Sequence, residues 1–232
     1  MNVDEIRNFV NFIAKKNQSG SNPGPSEFNL ALQRAYFEWV TQRCKQWQSN
    51  QKNTDDIQFL LEDRLFQPSN GIIKIPNGTS VLDSSGSLCP KYMHLSTLRS
   101  VYVYVENGIN KQLEEKVDVV RDAEISGRLS STFMAPSKQH PIASIRSGVI
   151  QIYPKETPFV RMTYLRNPKT PLWAFTVNSN GTLIYNDATS VQLESPDDTH
   201  NDVCMSILRY LGISIREQSL SQYAQAMKEE GL

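Results

Sequence analysis

Val101-Tyr102-Val103-Tyr104-Val105 alternates β-branched and aromatic side chains with a period of two, the pattern of a strand covered on both faces. The run lies near the middle of 232 residues and divides the chain into two regions that can be read outward from it. Downstream, shorter runs of the same kind span Val149 to Tyr153, Phe159 to Leu165, Trp173 to Val177 and Leu183 to Tyr185, and upstream lies Ile72 to Ile75. The last two downstream runs flank Asn178-Ser179-Asn180-Gly181, whose Asn-Gly pair tolerates positive φ and predicts a hairpin. No helical crossover separates these later strands, so the sheet is expected to be mostly antiparallel.

The stretch from Lys111 to Ile145 carries mixed signals. Charges in Glu114-Glu115-Lys116 and Arg121-Asp122-Ala123-Glu124 allow a helix, whereas Gly127, Pro136 and Pro141 interrupt one. The expectation is an irregular excursion, an extended loop over 107–147 with one short helix.

Before the strands the period is helical. Val3, Ile6, Val10 and Ile13 recur at steps of three and four with Phe9 and Phe12 widening the stripe, and Asn2 and Glu5 have the spacing of a capping box. Gly and Pro in Lys15-Lys16-Asn17-Gln18-Ser19-Gly20-Ser21-Asn22-Pro23-Gly24-Pro25 stop that helix, and Ser26 is placed to cap the next. There Phe28, Leu32, Ala35 and Trp39 share one face, and Tyr36, Val40, Cys44 and Trp47 form an adjoining stripe. A short third helix is predicted from Asp55 with Thr54 as cap and Ile57, Leu60, Leu61 and Leu65 facing inward, ended by Pro68 and Gly71.

The chain returns to helix after the strands. Asp198 or Thr199 can cap a segment whose Val203, Cys204, Ile207, Leu208 and Leu211 form one face, with Gly212 as terminator. A last helix is expected from about Ser219, carrying Leu220, Tyr223, Ala224 and Met227. The sum is a single α+β domain over 1–232: a helical segment at 1–66, a β-rich core at 70–195, and two C-terminal helices in 196–232.

Composition restricts the function classes. Lys+Arg and Asp+Glu both number 24, so the chain lacks the basic excess that phosphate backbones select. No run approaches the ~18 apolar residues of a membrane span, and the opening Met1-Asn2-Val3-Asp4-Glu5 is acidic where a signal peptide is basic, which predicts an intracellular product with no membrane partner. Cys44, Cys89 and Cys204 are odd in number and unpatterned, as expected of reduced thiols rather than a disulfide frame or metal site.

Catalytic motifs are not found. His94, His140 and His200 fall in no metal spacing, and the nucleophile-elbow, P-loop and dinucleotide-binding glycine patterns are missing, so no catalytic, cofactor-binding or metal residue is assigned and no cofactor is expected. The acidic run Asp197-Asp198-Thr199-His200-Asn201-Asp202 lacks the sixth-position Gly and distal Glu of a calcium loop, and the start of a helix explains the same residues. Aromatic and basic residues interleave in Tyr164-Leu165-Arg166-Asn167-Pro168-Lys169-Thr170-Pro171-Leu172-Trp173, where two Pro-restricted positions between strands are a simpler account than nucleic-acid stacking. Two alternatives stay open. Tyr102, Tyr104, Trp173 and Tyr185 could form a sugar-stacking face of a carbohydrate-binding or adhesin-like module, and Asp118, Asp122 and Glu124 with Glu106 could act as hydrolytic carboxylates.

The order of several short stretches resembles a family. Lys16-Asn17-Gln18-Ser19-Gly20, a Pro-bearing spacer, then Glu27-Phe28-Asn29-Leu30-Ala31-Leu32 with Ala35 is similar to virion proteins encoded by tailed bacteriophages of gut Bacteroidetes, the crAss-like group and its relatives. Pro90-Lys91-Tyr92, Ile150-Gln151-Ile152-Tyr153-Pro154, the block from Tyr164-Leu165-Arg166 to Pro171-Leu172-Trp173, and Leu208-Arg209-Tyr210-Leu211-Gly212-Ile213 followed by Tyr223-Ala224 fit the same pattern.

The resemblance implies a non-enzymatic neck protein, a head-to-tail connector or ring subunit in the virion, made in the host bacterial cytoplasm. Its implied partners are other copies of itself in a closed ring with heterologous contacts, together with portal and tail or other ring proteins, and it leaves passive contact with packaged DNA open. The wide apolar helix surface and zero net charge are compatible with an assembling subunit.

Overall fold

Asn2 and Glu5 close the capping box expected of them: Asn2 Oδ1 accepts the Glu5 N–H at 2.7 Å and Glu5 Oε2 accepts the Asn2 N–H at 3.0 Å. They open α1 (Val3–Lys16) in a computed structural model that describes residues 1–16, 23–47, 51–106 and 108–212. The described residues fold as two compact units, one made of Met1–Phe59 with the chain from Lys169 onward, the other of Leu60–Pro168. The fold is α+β, with five helices and ten strands among the described residues.

In the first unit, α1 buries Val3, Ile6, Val10 and Ala14, while Phe9 and Phe12 lie exposed off that stripe. The next helix, α2 (Pro25–Lys45), starts one residue before the predicted cap Ser26. Pro25 has no N–H to leave unsatisfied and its φ suits a first helical position, so Gly24 becomes the N-cap, with its N–H given to Glu27 Oε2 at 3.0 Å. Of the two predicted stripes of α2, the first is buried through Phe28, Leu32, Ala35 and Trp39, and the second through Tyr36 and Val40, while Cys44 is half-buried and Trp47 lies past the helix end. After α3 (Gln51–Asp56), the same unit resumes with the hairpin of β9 (Phe175–Val177) and β10 (Leu183–Tyr185), and includes α5 (His200–Tyr210), which packs on α1 and α2.

The hairpin forms where Asn-Gly predicted it, with a different turn. Asn178 O accepts the Gly181 N–H at 2.8 Å, and Gly181 has φ +76° while Asn180 stays at negative φ. That is a type I turn closed by a left-handed glycine rather than a turn with two positive-φ residues. Gly212 at φ +69° terminates α5 as expected. The helix predicted from Ser219 lies outside the described residues.

The second unit is two four-stranded sheets. One has the order β1 (Leu61–Phe66), β8 (Phe159–Arg166), β3 (Tyr92–Glu106), β4 (Ile109–Lys116), all antiparallel. The other has the order β2 (Ile72–Lys74), β7 (Val149–Tyr153), β6 (Ile142–Arg146), β5 (Asp118–Val119), with only β5 and β6 parallel. Phe66, Ile73, Leu98, Val117, Ile150, Ile152, Val160, Met162 and Tyr164 make the core of this unit.

Four expectations are corrected here. Leu61 and Leu65, predicted to face inward on a helix begun at Asp55, lie on strand β1, where they pair with Leu165 and Arg161 of β8. Backbone pairing to a strand about a hundred residues away overrides the local helical spacing. The segment 107–147, expected as an extended loop, holds β4, β5, the predicted short helix as α4 (Asp122–Ser130), and the whole of β6. Glu114, Glu115 and Lys116 sit on the edge strand β4, where Lys and Glu are tolerated, while Asp122 and Glu124 lie in the first turn of α4. Val103 and Val105, expected in a doubly covered strand, are 56% and 69% exposed, because β8 ends opposite Val101. Residues from Lys169 on, grouped by sequence with the β-rich core at 70–195, fold with the helices instead. Asn29 on α2 holds the backbone of Trp173 from both sides and accounts for that placement.

Candidate functional site

Beyond Val101, β3 has only β4 as a partner among the described residues. Tyr102 to Glu106 pair with Ile109 to Leu113, so a two-stranded ribbon extends roughly 17 Å past the rest of the sheet at about 3.4 Å per residue. Alternation divides the ribbon into two faces. Tyr102 and Tyr104 share one with Leu113 and Lys111; Val103 and Val105 share the other with Gln112. Tyr104 is 44% exposed and Leu113 37% exposed, so apolar surface is open to solvent on both faces.

The root of the ribbon is fixed by polar contacts. Tyr102 OH lies 3.1 Å from Thr157 Oγ1, and Lys138 Nζ stands 5.7 Å from the centre of the Tyr102 ring. On the opposite face an ionic ladder crosses four strands. Arg161 Nη1 donates to Asp63 Oδ2 and its Nε to Glu114 Oε1, both at 3.1 Å, while Arg99 Nη1 lies 3.5 Å from Glu114 Oε2. Asp63 and Glu114 hold the Arg161 guanidinium above the usual arginine range. At the tip, Lys111 Nζ donates to Glu106 Oε2 at 2.5 Å.

The four aromatics proposed to stack sugars do not meet as one set. Tyr102 and Tyr104 lie on the ribbon, but Trp173 is 2% exposed in the first unit. Its ring stacks with Phe175 at 5.3 Å and with Tyr185 at 6.2 Å between centroids, and Arg7 lies over the indole. Trp173 is therefore core, and no sugar ring reaches its face.

The candidate carboxylates also separate. Glu106 pairs with Lys111 at the ribbon tip, and Asp122 lies 3.4 Å from Arg146. Asp118 and Glu124 line one open groove of about 730 Å³ with Lys116, Arg121 and Arg128. Among the described residues, no three His, Cys, Asp or Glu side chains are placed to hold a metal ion.

The acidic run at 197–202 serves the helix start. Asp197 to Thr199 form a 3-10 turn leading into α5, Asp197 Oδ1 accepts the Met1 ammonium at 2.7 Å and lies 3.3 Å from His200 Nδ1, and Asp202 lies 3.6 Å from Arg43. His200 is buried, its Nε2 3.1 Å from Ser195 O, and burial lowers its pKa. Cys44, Cys89 and Cys204 are free thiols; burial raises all three, Cys204 to about 11, which keeps them protonated and unreactive at neutral pH.

Sequence reasoning missed β4. The alternation of Lys111, Leu113 and Glu115 with Gln112 and Glu114 was the available signal, masked by charges that also suit a helix.

These features define an α+β protein of two units with an apolar ribbon at one sheet edge. No protein-family model matches the chain, and no curated protein matches it.

Proposed function

We propose that this chain is a structural virion protein, a head-to-tail connector or neck ring subunit that assembles around the portal-tail axis of a tailed phage. The observation that carries the reading is the β3–β4 ribbon. An isolated two-stranded hairpin is at best marginally stable in water, so one that presents Val103, Tyr104, Val105 and Leu113 to solvent is suited to burial against another protein. The motif order supplies the class of assembly. In this reading the partners are sister copies, portal and tail proteins, with passive contact to packaged DNA and no catalytic role. No helix among the described residues is long and apolar enough to cross a membrane.

The test is co-expression of the full chain with portal and tail proteins of the same phage, followed by electron microscopy. A closed ring of this subunit on the portal-tail axis is the expected result. A chain that joins no such complex under conditions where portal and tail assemble overturns the reading.

A further inference from the structure

We propose that the outer edge of β4 pairs with the same edge of a second copy of this chain, antiparallel and about a two-fold axis at Leu113. Among the described residues β4 is the last strand of its sheet, so one side of its backbone has no strand partner there. Val117 N–H donates to Leu98 O at 2.9 Å, and counting back along the register by twos turns the backbone groups of Glu115, Leu113 and Lys111 toward β3. Those of Gln112 and Glu114 consequently point outward, where a second strand can take them.

Charge selects the occupant and the register. A two-fold axis normal to the sheet keeps each face on its own side, so residues directly opposite must come from the same face. Lys111, Leu113 and Glu115 share one face. Centring the axis on Lys111, Glu114 or Glu115 places like charges against each other, and centring it on Gln112 sets Lys111 against Leu113. With Leu113 on the axis, Lys111 faces the partner's Glu115 twice, and Gln112 faces the partner's Glu114 twice. Directly opposite Cβ atoms are about 5 Å apart, within reach of a Lys–Glu pair. Glu115 makes no ion pair among the described residues, and Lys111 holds only the exposed Glu106. Leu113 lies opposite Tyr102, so the paired edges carry an apolar row from Tyr102 through Leu113 to the partner's Leu113 and the partner's Tyr102.

This contact goes beyond the ring reading. It consumes the same edge in both copies and stops at two, whereas a cyclic ring is built from heterologous contacts.

The experiment is sedimentation of the purified full chain across concentration and salt, for wild type, Lys111→Glu, Glu115→Lys, the double exchange Lys111→Glu/Glu115→Lys, and Gln112→Pro. The expected result is a dimer that weakens with salt, with each single charge reversal raising the dissociation constant about tenfold or more. The double exchange restores the wild-type constant. Gln112→Pro removes an outward N–H that β3 does not use, so it abolishes the dimer while circular dichroism stays unchanged. A chain that is monomeric up to its solubility limit, or a dimer indifferent to Lys111→Glu and Glu115→Lys, overturns the proposal. If such a chain still enters rings with portal proteins, the ring reading stands alone. If the dimer follows the charge exchange but no ring forms, only this inference survives.

Discussion

The Arg7 guanidinium lies over the Trp173 indole, its Cζ 3.6 Å from the ring centroid. One helical turn before Arg7, Asp4 Oδ1 accepts the indole N–H at 2.9 Å. From α2, Asn29 Oδ1 accepts the Trp173 N–H at 2.9 Å and its Nδ2 donates to Trp173 O at 3.0 Å, as a neighbouring strand would. Two helices and a buried aromatic thus define one anchor point, which makes it the first place to test the stability of this unit.

Trp173→Ala is expected to cost about 3–5 kcal/mol, the usual range for emptying a large aromatic site. Arg7→Ala should cost about 1 kcal/mol, since burial already disfavours its charge and lowers its pKa. Asn29→Ala leaves a donor and an acceptor of Trp173 unmatched, at about 2 kcal/mol. Urea denaturation followed by Trp fluorescence or circular dichroism gives all three values. A Trp173→Ala variant as stable as wild type would remove this residue from the core.

Gly71 has φ +73°, and a Cβ there would lie 2.6 Å from Ile152 O and 3.1 Å from Lys155 Cα. Ile152 N–H donates to Gly71 O at 2.7 Å, so the backbone cannot move aside without losing that bond. Gly181 has a similar φ, +76°, but open space around it. Gly181→Ala should therefore cost about 1 kcal/mol of conformational strain, and Gly71→Ala at least about 2 kcal/mol more. Thermal melts of the two variants measure the difference.

Asp83 is held by its loop: Oδ1 accepts the Ser85 hydroxyl, the Ser87 N–H and the Ser85 N–H, and Oδ2 accepts Arg64 Nη1. These bonds, the Ser85 hydroxyl foremost, favour the carboxylate and lower its pKa from 3.8 to about 2. A folded pKa below the unfolded one gives stability that is present above about pH 4 and lost as pH falls toward 2. The stability gap between wild type and Asp83→Asn should be full at neutral pH and close across that window. Chemical denaturation at stepped pH is the measurement, and a gap independent of pH would refute the ionic account.

His200 titrates in the opposite sense. Burial is the largest influence and lowers its pKa, with the Met1 ammonium acting the same way and Asp197 opposing. The unfolded chain therefore binds a proton near the ordinary value of about 6.5 before the folded chain does, and stability declines as pH falls below that value. His200→Gln should flatten the decline between pH 7 and 5 in the same chemical denaturation at stepped pH. An unchanged slope would assign it to other groups.

Much of the secondary structure was legible because its signals are local. The Asn2–Glu5 box, the two apolar stripes of α2, the runs at 149–153 and 159–165 and the turn at Gly181 each depend on residues within a few positions of one another. The candidate site was legible only in part. Tyr102 and Tyr104 stood out as strand residues, whereas Lys111, Leu113 and Glu115 read as loop or helix until β3 lay beside them.

The amino-acid order by itself determined where helices begin, which faces are apolar, and that strands follow helices in an α+β chain, since capping, periodicity and turn chemistry act over one or two turns of backbone. Tertiary structure alone decided that Leu61–Phe66 is a strand, that Trp173 is anchored by α1 and α2, and that Val103 and Val105 face water. Each of those outcomes depends on where a distant strand or helix starts or stops. β8 ends opposite Val101, and no local pattern around Val103 records it.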